Sequence, residues 1–143
     1  MGMSRVFLDS NLFIYQLEDL GPRGNRANFI FERLSLRKDT VLTSTLTVGE
    51  VLVKPIRTGN RALEAKYREL LREPQVRVLA FDRAAGEIFA RVRQDRTIKA
   101  PDAIQLATAA SAGCDLFITN DDRLTTAHVP GIQFIVSMER API

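Results

Sequence analysis

The chain has 143 residues, 45% of them apolar, with 20 Lys and Arg against 17 Asp and Glu and a single cysteine. That is length enough for one domain with a real core, and no apolar run approaches the roughly 18 residues of a membrane span. One cysteine excludes an internal disulfide framework and a cysteine-rich zinc site, and a buried thiol is the expected role of Cys114.

No charged region followed by an apolar stretch and a cleavage site opens the chain, so no signal peptide is expected and the protein reads as cytoplasmic. The Met1-Gly2 start lacks the Ser or Thr a myristoylation signal wants, since Val6 stands there. The net charge of +3 is mostly arginine and points weakly to nucleic acid.

Arg5 to Leu8 reads as a strand ending at Asp9. Ser10 or Asn11 caps a helix carrying Leu12, Ile14, Tyr15 and Leu17. Residues 20–24 read as a loop. Asn25 then caps a second helix with Phe29, Ile30, Leu34 and Leu36 inward. Thr40 to Ser44 is a second strand. It leads into a helix from Thr45 or Thr47 that includes Glu50 and stops near Pro55. Asn60 starts a helix with Leu63, Tyr67, Leu70 and Leu71 on one face.

A third strand spans Val76 to Ala80, and Asp82 caps a helix burying Ala85, Ile88, Phe89 and Val92. The next helix opens at Pro101–Asp102, presents Ala103, Ile104, Leu106, Ala107 and Ala110, and closes at Gly113. A strand from Leu116 to Thr119 runs into the acidic turn Asn120-Asp121-Asp122, and Ile132 to Val136 is the last strand. Strands alternating with helices define an α/β fold: a three-layer α/β/α sandwich around a central, mostly parallel sheet of four to five short strands.

Open parallel sheets keep their sites beyond the carboxyl ends of the strands. Asp9 follows the first strand, Asp121 the fourth, Asp102 opens a helix, and Glu50 lies a turn into the helix after the second strand. Singly, each is ordinary: Asp9 and Asp121 as helix caps, Asp102 as a dipole-favoured residue, Glu50 as surface. Jointly they are not. Two carboxylates roughly 5 Å apart repel by about 3 kcal/mol at an effective dielectric of about 20, so four converging acids need a cation, a shared proton or arginines. An all-oxygen set suits Mg²⁺ or Mn²⁺. His128, past the acidic turn, reads as a surface residue, which argues against zinc.

These residues carry a resemblance. Val6-Phe-Leu-Asp-Ser-Asn, Leu46-Thr-Val-Gly-Glu-Val-Leu, Pro101-Asp-Ala-Ile-Gln-Leu-Ala-Thr-Ala and Phe117-Ile-Thr-Asn-Asp-Asp-Arg-Leu resemble, in order, the four acidic motifs of PIN-domain proteins of the VapC-like toxin type. The likeness covers about residues 5–136. It implies a single PIN-like domain over 1–143, acting as a metal-dependent endoribonuclease. Such a protein is commonly the toxin of a toxin–antitoxin pair and commonly a homodimer. Carried over, Asp9, Glu50, Asp102 and Asp121 form the catalytic metal site for Mg²⁺ or Mn²⁺. Asn11 and Thr119 support it, and Asp122 is either an accessory ligand or part of the turn.

RNA is the implied substrate, an antitoxin protein the implied partner, and no membrane is involved. Arg123, Lys99, Arg96 and Lys54 are the cations nearest the acids in sequence and the expected RNA contacts. Two other readings stay open: a non-catalytic RNA- or protein-binding module whose acids are held by arginines, and an aspartyl phosphohydrolase. The second is disfavoured by Asn11, which stands where that chemistry wants a second aspartate.

Overall fold

A computed structural model describes residues 4–143, so the Met1-Gly2 start lies outside it. The strands are β1 (Arg5–Leu8), β2 (Thr40–Ser44), β3 (Val76–Leu79), β4 (Cys114–Thr119) and β5 (Ile132–Ser137). They form one all-parallel sheet in the order β3-β2-β1-β4-β5. The helices are α1 (Ser10–Glu18), α2 (Pro22–Leu36), α3 (Thr45–Thr58), α4 (Arg61–Leu70), α5 (Arg83–Val92) and α6 (Ala100–Ala112). A 3₁₀ turn over Asp122–Thr126 joins β4 to β5.

Alternation along the strands sends side chains to two cores. Val6, Leu8, Val41 and Ile118 pack under α1–α4 against Leu12, Phe13, Ile30, Leu34 and Tyr67. Phe7, Leu42 and Phe117 face α5 and α6, meeting Val92, Leu106, Ala109 and Ala110. Phe7 and Phe117 stack across the β1–β4 pair at 5.0 Å. The result is the expected α/β/α sandwich. α6 is hidden nearly all round: Ala103 and the six residues from Gln105 to Ala110 are all buried, and its small side chains let it lie close on the sheet. No described helix is long and apolar enough to cross a membrane.

Four local expectations need correction. The second helix begins at Pro22, not after a 20–24 loop, and Gly21 rather than Asn25 occupies its cap position. Proline fits the first helical position because its missing N–H has no partner there anyway. Gly24 lies within the helix, and it must be glycine because a Cβ there would sit 1.7 Å from the carbonyl oxygen of Asp19, at the end of α1. On this helix Phe29 and Leu36 are exposed, against expectation, while Ala27, Ile30, Phe31 and Leu34 point inward.

The first helix is capped by Asp9, whose side chain accepts from the Asn11 amide, and not by Ser10 or Asn11. Helix α3 runs through buried Pro55 to Thr58. It ends at Gly59 in the left-handed conformation (φ 67°), where the Asn60 amide returns to the Pro55 carbonyl at 2.8 Å. On α6, Ile104 is only half-buried, while Gln105 beside it is fully covered.

Candidate functional site

The strand order reverses between β1 and β4: β2 and β3 follow on one side, β5 on the other. The crevice of a parallel sheet opens at such a reversal, and Asp9 and Asp121 flank it. Asp9 follows β1, and its amide donates to the Ile118 carbonyl of β4 at 3.3 Å. Its Oδ1 takes the Asn11 amide at 3.1 Å, its Oδ2 takes the Asn120 amide at 3.4 Å, and the Thr119 hydroxyl also donates to it. Burial nevertheless pushes the Asp9 carboxyl up to about 6, against those three hydrogen bonds and with help from the charge of Asp102.

Asp102 sits in the first turn of α6. Burial raises its carboxyl above the usual range; the charges of Asp121 and Glu50 add to this, while Arg123 and Lys99 oppose it. Asp102 is thus the link: it feels Asp121 and Glu50, and its own charge acts on Asp9. Glu50, solvent-exposed on α3, lines a cleft of about 410 Å³ with Asp9, Asn11, Asp102 and Gln105. Its Oε1 accepts from the Ser10 hydroxyl at 2.5 Å. Asp121 caps the 3₁₀ turn through the Arg123 amide, and the Arg123 guanidinium holds its carboxyl below the usual range. Thr119 Oγ1 accepts from the Asp121 amide at 3.0 Å, so one buried hydroxyl ties the first acid to the fourth.

The remaining sequence candidates separate. Asn11 lines the cleft and gives Asp9 its backbone N–H. Asp122 lines a second cleft, with Arg23, Asn120, Ser137 and Arg140. Lys54 pairs with Glu18 at 2.8 Å, whereas Lys99 and Arg123 act electrostatically on the acids themselves. His128 is exposed and lines a third, largely apolar pocket with Ile88, Val92 and Asp95.

Sequence reasoning missed Ser10, Thr47 and Gln105 beneath Glu50. It also missed Tyr15, whose hydroxyl accepts from Asn120 Nδ2 at 2.7 Å. The signal for Gln105 was present: a carboxamide inside an otherwise apolar helix, one turn past Asp102.

The chemistry of the donors suits a hard divalent cation. Four carboxylate side chains are available, with neither histidine nor cysteine among them, and the carboxyls of Asp9 and Asp102 are raised by burial first and by neighbouring negative charge second. As the side chains are oriented, no three His, Cys, Asp or Glu groups among the described residues stand close enough to share one ion. Asp121 is turned to Arg123, which engages both of its carboxylate oxygens.

A family model for the PIN domain matches residues 6–129, and the chain belongs to that family. No curated protein matches the sequence. Among solved structures, the fold is similar to a chain of VapBC2 from Rickettsia felis bound to a DNA fragment from their promoter. There the TM-score is 0.74 at 13% identity, over 93% of this chain and 98% of that one. It is similar also to a chain of DNA-bound VapBC from Salmonella typhimurium, with TM-score 0.70 and 22% identity over 95% and 99%. For VapBC-5 from Mycobacterium tuberculosis the TM-score is 0.63 and the identity 24%, over 94% and 98%. At these identities the likeness is one of fold.

Proposed function

We propose that this PIN-domain protein is a metal-dependent endoribonuclease acting as the toxin of a toxin–antitoxin pair. What supports the reading is that Asp9, Glu50 and Asp102 line one cleft at the reversal of a parallel sheet, with Asp121 near enough for its charge to act on Asp102. Solved structures of similar fold come from toxin–antitoxin complexes, which supports an antitoxin as partner. A homodimer is part of the same proposal.

In this reading the four carboxylates hold Mg²⁺ or Mn²⁺, with Arg123 releasing Asp121 so that it can join the other three. An ion held by these carboxylates would supply Lewis acidity, lowering the pKa of a bound water and offsetting charge on a phosphodiester. The chain does the rest. Thr119 and the Asn11 and Asn120 amides fix the Asp9 carboxylate, and Ser10 fixes Glu50. Lys99 and the freed Arg123 attract the phosphate backbone to an otherwise acidic cleft. Unpaired RNA is the substrate form whose bases such a surface can reach.

A mixed RNA pool incubated with Mn²⁺, Mg²⁺ or EDTA tests this. Cleavage that needs the metal and is lost in Asp102→Asn is expected. Cleavage indifferent to EDTA would overturn the mechanism. RNA binding without turnover in either metal would favour a binding module instead, a reading to which the Arg123–Asp121 pair lends weight because an arginine already neutralises that acid.

A further inference from the structure

Beneath the acidic cleft lies a knot of hydroxyl and carboxamide groups: Ser10, Thr43, Ser44, Thr47 and Gln105, all buried. Its members sit beside the acids in sequence. Ser10 follows Asp9, Thr47 stands one turn before Glu50, and Gln105 stands one turn after Asp102. Gln105 alone reaches three elements. Its Nε2 donates to Ser10 Oγ at 3.2 Å and to Thr47 Oγ1 at 2.9 Å, while its Oε1 accepts from Ser44.

The proton count then has one solution around Ser10. A carboxamide NH₂ only donates and an ionised carboxylate only accepts. Both Nε2 hydrogens are committed, so Ser10 and Thr47 are acceptors toward Gln105. Glu50 Oε1, 2.5 Å from Ser10 Oγ, can offer no hydrogen, so the Ser10 proton goes to Glu50. The Ser10–Thr47 contact of 3.0 Å is consequently donated by Thr47, which itself accepts from the Thr43 hydroxyl at 2.9 Å. Were the residue at 105 unable to donate, Ser10 could turn its proton to Thr47 and leave Glu50 unheld.

We propose that Gln105 is a positioning residue for Glu50, polarising Ser10 so that its hydroxyl pins Glu50 Oε1 and leaves the other oxygen for a cation, an inference that rests on the metal-centre reading above. Partners of this kind, one bond removed from the ligand, set its orientation and through it the affinity of the site. A role confined to joining α1, α3 and α6 would show in stability alone.

Mn²⁺ affinity, read by electron paramagnetic resonance alongside thermal unfolding of each variant, separates the two. Gln105→Met and Ser10→Ala should each weaken Mn²⁺ binding about tenfold. The double variant should lose no more than the weaker-binding single one, because both act through one O–H···O bond. Ser10→Thr, which keeps the hydroxyl, should bind as the unmodified chain does. Thr108→Val removes another buried hydroxyl of α6, one bonded to the Ile104 carbonyl at 2.7 Å; it should leave affinity unchanged.

Should Gln105→Met not fold, Ser10→Ala still decides the bond to Glu50. Unaltered affinity in Ser10→Ala, or additive losses in the double variant, overturns the proposal while the metal centre stands. If the unmodified chain takes up no Mn²⁺ that Asp9→Asn abolishes, the metal-centre reading falls and this inference with it.

Discussion

The Arg123 guanidinium closes on the Asp121 carboxylate through two parallel bonds, Nε to Oδ1 at 3.0 Å and Nη2 to Oδ2 at 2.7 Å. Both oxygens of the fourth acid are thereby engaged by a cation the chain itself supplies. The pair is bidentate but lies open to solvent, so screening keeps it weak enough to exchange. A divalent ion seeking Asp121 must compete with it.

Arg123→Ala is accordingly expected to bind Mn²⁺ several-fold more tightly than the unmodified chain. Arg123→Lys keeps the charge without the planar fork and should fall between the two. Calorimetric titration measures this. Equal affinities in all three proteins would mean that Asp121 takes no part in ion binding.

Asp9 makes stability depend on pH in a direction opposite to the usual carboxylate. Its folded-state value of about 6 lies above the ordinary 3.8, so between those values the folded state holds more protons than the unfolded one. Stability from this group is therefore present below pH 4 and lost as pH rises through 6, an effect of about 2–3 kcal/mol. Asn keeps the capping oxygen and removes the charge. In urea unfolding without metal, Asp9→Asn should be more stable than the unmodified chain at pH 8 by about 2 kcal/mol, with the gain gone at pH 4. Added Mn²⁺ should raise the stability of the unmodified chain and leave the variant where it was. A variant less stable at both pH values contradicts the assignment.

Two helical glycines should respond oppositely to alanine. At Gly24 the added methyl meets the Asp19 backbone at 1.7 Å, so the α1–α2 crossing must open, a cost of about 3 kcal/mol or more. At Gly86 in α5 nothing lies within 4 Å, and helix propensity should raise stability by about 0.5–1 kcal/mol. Thermal unfolding of the two variants distinguishes a glycine required by close approach from one that is not.

Cys114 begins β4 in the core beside Ile132, and burial pushes its thiol up to about 12. At pH 8 it should resist alkylation in the folded protein and react only once denaturant unfolds the chain. Rapid labelling of the native state would mean that the β4–β5 edge opens locally.

Much of this was legible in the residues. The alternation of β-rich runs with capped helices gave the layers, because the hydrophobic period and the caps at Asn60 and Asp82 are local signals. The four acids were legible because each stands at a strand end or a helix start. What escaped was tertiary. Pro22 and Gly24 look like loop residues until α1 is laid across them. Asp9 outcompetes Ser10 and Asn11 as cap because the Asn120 and Thr119 donors of β4 hold it there. Ser10 and Thr47 look like helix-start residues until Gln105 arrives from 95 and 58 residues further on.

The same limit applies to the acids. Spacing put them at one edge of the sheet, but no spacing could say that Asp121 would be bound by the arginine two residues after it, or that Asp122 would line a separate cleft.

The most direct test of the account is the anomalous scattering of Mn²⁺ in crystals of the protein soaked with that ion. The account predicts a peak enclosed by Asp9, Glu50, Asp102 and Asp121, with the Arg123 guanidinium turned away from Asp121. A fully occupied peak elsewhere, or none at saturating Mn²⁺ with Arg123 still closed on Asp121, would contradict it.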